Sequence, residues 1–332
     1  MNLERVDQIA RAVLYEGYML YPYRPSSVKN RQRFNFGVVY PQAYSQAQGE
    51  PQTSEMQVEC LVSDNRELNN TRKSKESLLT IKLRFLQIQM RTGLVRAPSP
   101  NNSSADNWQE AIEREVTLPA SVLENLHTAT VQDFAFSEET QIDSEYVRRN
   151  AAIAGTVELR AQKIHTDLFK VKVQVRNTTA LNMPVIDRDE VLMHSLVSTH
   201  LILGIEGAEF VSLLEPPPEF AEAAAQCQHF GAFPVLVGEP GQRDMLLASP
   251  IILYDYPQIA AESAGDLFDG TEIDEILSLR IMTLTDEEKK EIRNSDERAR
   301  QILKRTDSMP TEQFMKLHGA LRGLRPVKED TA

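Results

Sequence analysis

Leu3, Val6, Ile9, Ala10, Val13 and Leu14 recur at three- and four-residue intervals, so they share one face of a predicted amphipathic helix that Gly17 ends. Further on the apolar period shortens to two. "MQVECLV" and "SLLTIKLRFLQIQMR" alternate apolar and polar positions as half-buried strands do. The clearest strand signal is "GTVELRAQKIHTDLFKVKVQVRNTT", a predicted hairpin turning near His165–Asp167. The polar runs "SDNRELNNTRKSKES" and "RAPSPNNSSADN" are predicted loops.

Beyond residue 186 the pattern is mixed. "DRDEVLMHSLVSTHLIL" fits either a helix begun by acidic residues or a buried strand. "EPPPEFAEAAAQCQHF" is predicted to be a helix with prolines at its start and Phe220, Ala224 and Cys227 on one side. "FPVLVG", "MLLASPIILY" and "SLRIMTL" are predicted strands. Thr285 followed by Glu288 has the spacing of a capping box, with Ile292, Ala299, Ile302 and Leu303 as the apolar stripe behind it. A second short helix follows Pro310, on Phe314, Leu317, Leu321 and Leu324. The expected fold is therefore α+β, an antiparallel β-sandwich-like core with an N-terminal helix and a C-terminal helical hairpin. Three segments are expected: a β-rich 1–150 that includes the opening helix, an antiparallel β-rich 151–284 with inserted helices, and the hairpin 285–332.

With 41% apolar and 25% charged residues, the composition is that of a globular chain. No apolar run approaches the ~20 residues of a membrane-spanning helix, and the charged N-terminus does not resemble a signal peptide. The two cysteines, Cys60 and Cys227, form no disulfide framework, so a reducing, cytoplasmic setting is expected. A net charge of −12 disfavours nonspecific nucleic-acid binding, and no nucleic-acid partner is expected.

Against that acidity one stretch stands out, "EGYMLYPYRPSSVKNRQRFNFGVVYP". It holds Tyr21, Tyr23, Arg24, Lys29, Arg31 and Arg33 and no acid from Gly17 to Gly49. Arginine makes planar, bidentate contacts with carboxylate or phosphate, and aromatic rings supply rigid contact area. Three readings are open: the cations pair with acids elsewhere in the chain, they meet a protein partner, or they bind a small anion or nucleic acid. Acids for internal pairing exist, since no Lys or Arg occurs between Arg243 and Arg280 while Asp255, Asp266, Asp269, Glu272 and Asp274 accumulate there. The acidic stretch is itself a candidate interaction loop or weak site for a hard cation, but it lacks the ligand ladder of an EF-hand.

Other chemistry is poorly supported. His194 and His200 would diverge by about 120° on a helix or lie about 20 Å apart on a strand, so with Cys227 and His229 they make no local chelate. No nucleophile elbow, P-loop or dinucleotide turn occurs, and Ser195 and Ser198 beside these histidines are not a triad. No resident metal or cofactor is expected.

The stretches "LYEGYMLYPYRPSSVKNRQRFNFG", "SPIILYDYPQIAAESAGDLFDGTEIDEILSLRIMTLTDEEK" and "LHGALRGLRP" resemble an uncharacterised bacterial protein family encoded beside nickel–iron hydrogenase structural and maturation genes. The resemblance implies an accessory role in making, assembling or anchoring a hydrogenase, and supplies no catalytic residues. The chain has no C-x-x-C and no close thiolate–imidazole pairs, so protein binding suits it better than metal transport. The expectation is a cytoplasmic, non-enzymatic assembly factor whose partner is a hydrogenase subunit or maturation factor. The alternative is a metal-assisted hydrolase or lyase using carboxylates from 255–275.

Overall fold

The period-two segments become two antiparallel sheets. A computed structural model describes residues 3–48, 52–64, 76–94, 107–181, 187–259, 265, 267, 274–295 and 297–317. The chain forms two compact units: Met1–Gly17 with Phe34–Pro257, and Tyr18–Arg33 with Gln258–Ala332. The fold is α+β, with a sandwich-like β core, an N-terminal helix and C-terminal helices.

In the first unit, β1 (Glu55–Ser63), β5 (Thr130–Phe136), β8 (Ile153–His165), β9 (Leu168–Asn177) and β11 (Glu209–Val211) form one sheet in the order β11-β1-β9-β8-β5. The second sheet runs β12-β13-β10-β2-β7-β6. Its members are β2 (Leu78–Gly93), β6 (Glu139–Ile142), β7 (Tyr146–Asn150), β10 (Val197–Glu206), β12 (Phe233–Leu236) and β13 (Met245–Ser249). β3 (Asn107–Thr117) and the short β4 (Ser121–Val122) also pair with β2. The register sets Val173 against both Val58 and Leu159, and Leu83 against Leu201. Inward-facing residues of both sheets, among them Val58, Cys60, Val171, Ile81, Phe85 and Leu203, share one core. Each large side chain fully buried there contributes roughly 1.5–3 kcal/mol.

Part of each outer face is apolar as well. Helix α1 (Leu3–Leu14) buries Val6, Ile9 and Ala10 against Ile202, Val235 and Leu247 on the back of the second sheet. On the back of the first, Leu61, Leu168 and Val211 are covered by Ala224, with Phe220 and Cys227 packed alongside. Phe220 and Ala224 belong to a 3-10 turn (Pro218–Phe220) that runs into a short α4 (Ala221–Ala225), with Cys227 just past its end; α2 (Gln42–Gln48) and α3 (Arg188–Leu192) precede them in chain order. Gly17, at φ +71°, turns the chain after α1, and a Cβ there would lie 2.8 Å from the Phe36 ring.

The ambiguous "DRDEVLMHSLVSTHLIL" holds both forms: α3, capped by Asp187, precedes β10. The strand expected at "SLRIMTL" is instead helix α5 (Asp274–Met282), because Leu277 and Ile281, one helical turn apart, are its buried apolar residues. The division expected at residue 150 falls between β7 and β8, and both strands lie in the first unit.

The second unit holds α5, α6 (Asp286–Arg293), α7 (Glu297–Asp307), α8 (Thr311–Leu317) and the 3-10 turn Val28–Gln32. Thr285 and Glu288 form the capping box of α6. The single long helix expected from residue 285 is broken into α6 and α7 where Asn294 caps α6 and the Ser295 hydroxyl donates to the Ile292 carbonyl. Leu321 and Leu324 lie outside the described residues.

Phe85 is wholly buried, its ring centroid 6.1 Å from that of Phe134 and 5.8 Å from that of Phe136. Phe85→Ala is expected to cost about 3–5 kcal/mol, measured as a lowered denaturant midpoint.

Candidate partner-binding groove

The stretch singled out by its charge splits by burial. Tyr21, Arg24, Ser27, Val28 and Lys29, with Arg280 of α5, line an open groove of about 500 Å³ within the second unit. Tyr23 and Arg33 turn inward, at 1% and 6% exposure. Arg31 sits in the 3-10 turn, and its side chain lies outside the described residues.

The groove's rim is held by a buried amide. Asn30 Oδ1 accepts from the Leu20 N–H at 2.8 Å, while its Nδ2 donates to the carbonyls of Leu20 at 2.9 Å and Arg24 at 3.0 Å. One side chain therefore replaces the backbone pairing that Pro22 and Pro25 deny this loop. The Tyr21–Pro22 peptide is cis. Tyr23 follows at φ +58°, unusual for a bulky residue, and is fixed at both ends. Its N–H donates to the Leu20 carbonyl at 2.9 Å, and its hydroxyl to the Leu267 carbonyl at 2.6 Å.

Electrostatics divide the cations. Arg24 Nη1 lies 3.1 Å from Glu288 Oε1 and 3.9 Å from Glu291 Oε2, and Glu291 also accepts from the Ser26 N–H at 3.0 Å. The Glu288 carboxyl is held below its ordinary range by the Thr285 backbone N–H and then by Arg24. Arg33 and Arg298 lie 5.9 Å and 5.3 Å from the Tyr18 ring centroid, and Arg280 lies 5.4 Å from that of Tyr21. Lys29 is exposed and forms no ion pair among the described residues. Among the described residues Arg24 is thus paired internally, with acids of α6. Lys29 and Arg280 are exposed to solvent, Arg280 with contacts of its own to the chain.

In the acidic stretch Asp266, Asp269 and Glu272 lie outside the described residues, as does the side chain of Asp274. Asp255, in the first unit, is engaged by its own chain: Oδ2 accepts from Ser212 Oγ at 2.5 Å and Oδ1 from the Leu236 N–H at 2.8 Å. Among the described residues no group of three or more His, Cys, Asp and Glu could hold a metal ion. Burial pushes the Cys60 thiol well up and that of Cys227 to about 11, so neither is a ready thiolate. Ser195 Oγ donates to the Val191 carbonyl and Ser198 Oγ to that of Val13, leaving neither hydroxyl activated by a histidine. Asn30, Arg280, Glu288 and Glu291 were not distinguishable as groove residues from the sequence, since the contacts of the last three with the loop span long separations.

His200 is fully buried in β10, where the register shifts between Val197 and His200. Its Nδ1–H donates to the Ser198 carbonyl at 2.9 Å, and Nε2 has no hydrogen-bond partner among the described residues. Burial lowers its pKa to about 4; Arg84 adds to the effect, while Ser198 and Glu113 oppose it.

Tyr23→Phe leaves the buried Leu267 carbonyl without its hydroxyl donor and is expected to cost about 1–3 kcal/mol in chemical denaturation. For His200 the folded state stays neutral while the unfolded state protonates near 6.5. Its contribution is therefore fully present above that pH and falls by about 3 kcal/mol as pH drops toward 4. His200→Asn, which can keep a donor toward Ser198, is expected to flatten the melting-temperature profile across that window.

No protein-family model matches this chain, and no curated protein matches it.

Proposed function

We propose that this protein is a non-enzymatic accessory factor that binds a protein partner through the groove between the 3-10 turn and α5. The observation that carries the reading is the groove's chemistry. Val28, 76% exposed, stands beside the exposed cations Lys29 and Arg280 on a loop that a buried asparagine holds in place. A rigid edge presenting apolar and cationic groups together suits recognition, because little ordering entropy is lost when a partner docks. The two serines beside His194 and His200, Ser195 and Ser198, donate to backbone carbonyls, which supports binding over serine–histidine chemistry. A nickel–iron hydrogenase subunit or maturation factor is the proposed partner, on the resemblance of the three stretches alone, with the cytoplasm as the site of encounter.

Co-expression with a nickel–iron hydrogenase and its maturation proteins is expected to yield a co-purifying hydrogenase subunit or maturation protein. Val28→Glu combined with Lys29→Glu should weaken that complex about 10- to 100-fold in titration calorimetry, with little change in melting temperature because both side chains are exposed. Unchanged affinity in the folded double variant would overturn the reading.

A further inference from the structure

We infer that the groove takes an acidic amphipathic segment of the partner, its carboxylates toward Lys29 and Arg280 and its aliphatic side chains along α5. This rests on the reading of the groove as a partner site and specifies what fills it. α5 buries Leu277, Ser278 and Ile281, yet its opposite side is partly apolar: Ile276, Leu279 and Met282 are 37%, 42% and 52% exposed. Ile276 stands one helical turn before Arg280, and Leu279 lies next to both, so the aliphatic stripe and the groove's arginine share a face. An aliphatic strip of this kind on a short helix loses free energy to water unless it is covered.

Charge selects among possible covers. Arg280 lies over the Tyr21 ring, which steadies its guanidinium, and Lys29 adds a mobile ammonium nearby. Glu288 and Glu291 on α6 sit behind Arg24 and temper the positive field. That combination favours one or two carboxylates on an aliphatic peptide over the dense charge of a nucleic acid, whose phosphates would meet those two acids. A nucleic acid would also want aromatic platforms for its bases, and the strip is aliphatic. A helix or extended strand bearing Glu or Asp beside Leu or Ile supplies both halves.

The test is fluorescence anisotropy on the full chain with a short labelled peptide of glutamate and leucine in helical amphipathic order. Controls replace every glutamate with glutamine, or every leucine with serine. The glutamate–leucine peptide is expected to bind at least about 10-fold tighter than either control, and to lose about 10-fold on Lys29→Glu or Leu279→Ser. Its affinity should also fall on going from about 50 to about 500 mM salt. Equal binding of the glutamate and glutamine peptides, stronger binding of single-stranded RNA, or no binding of the glutamate–leucine peptide would each overturn the proposal. So would a groove-dependent dimer in sedimentation, which would make a second copy of this chain the occupant. If the peptide fails while hydrogenase-subunit capture still depends on Val28 and Lys29, the occupant is wrong and the partner reading stands. If both fail, both fall.

Discussion

Strand β10 of the second sheet is buried on both faces, and the layering of the first unit follows from that. In β10, every residue from Val197 to Ile205 is buried. Its odd positions Leu201, Leu203 and Ile205 fill the space between the sheets, while Ile202 faces the other way, toward α1. A two-layer sandwich with solvated outer faces would leave such a strand half exposed, at a cost of roughly 25 cal/mol for every Å² of apolar surface. The chain meets the requirement with α1 on one back and the short α4 region on the other. The N-terminal helix is therefore a third layer and not an appendage, and its apolar period complements that of the strand beneath it.

The second unit rests on a different kind of constraint. Its groove loop has two prolines and a run of cations and no regular ladder of its own. Order comes instead from a few polar side chains that bond distant backbone groups: the Asn30 amide to Leu20 and Arg24, the Tyr23 hydroxyl to Leu267 and the Glu291 carboxylate to Ser26. Buried polar groups that are satisfied specify one conformation, and here the specified conformation leaves Val28 and Lys29 facing water.

How far this was legible in sequence depended on whether the signal was periodic. The β8–β9 hairpin could be read because alternation and turn residues agreed, and α1 because its stripe ran for three turns. "SLRIMTL" was misread because its exposed Leu279 and Met282 blur the two-residue buried stripe of Leu277 and Ile281, so a short apolar run carried no period. The basic aromatic loop was visible as composition. Which of its residues face inward was not, since Tyr23 and Arg33 differ from Tyr21 and Lys29 only in tertiary surroundings. Glu288 could be recognised as a helix cap, yet nothing local announced that its other oxygen meets Arg24.

That double engagement of Glu288 has a consequence. One oxygen accepts from the Thr285 N–H at the start of α6, and the other faces Arg24 at the wall of the groove. Helix initiation and loop position are thereby coupled through a single carboxylate, and thermodynamic reciprocity requires that the free energy the docked loop adds to the helix start equals the free energy the formed helix start adds to loop docking.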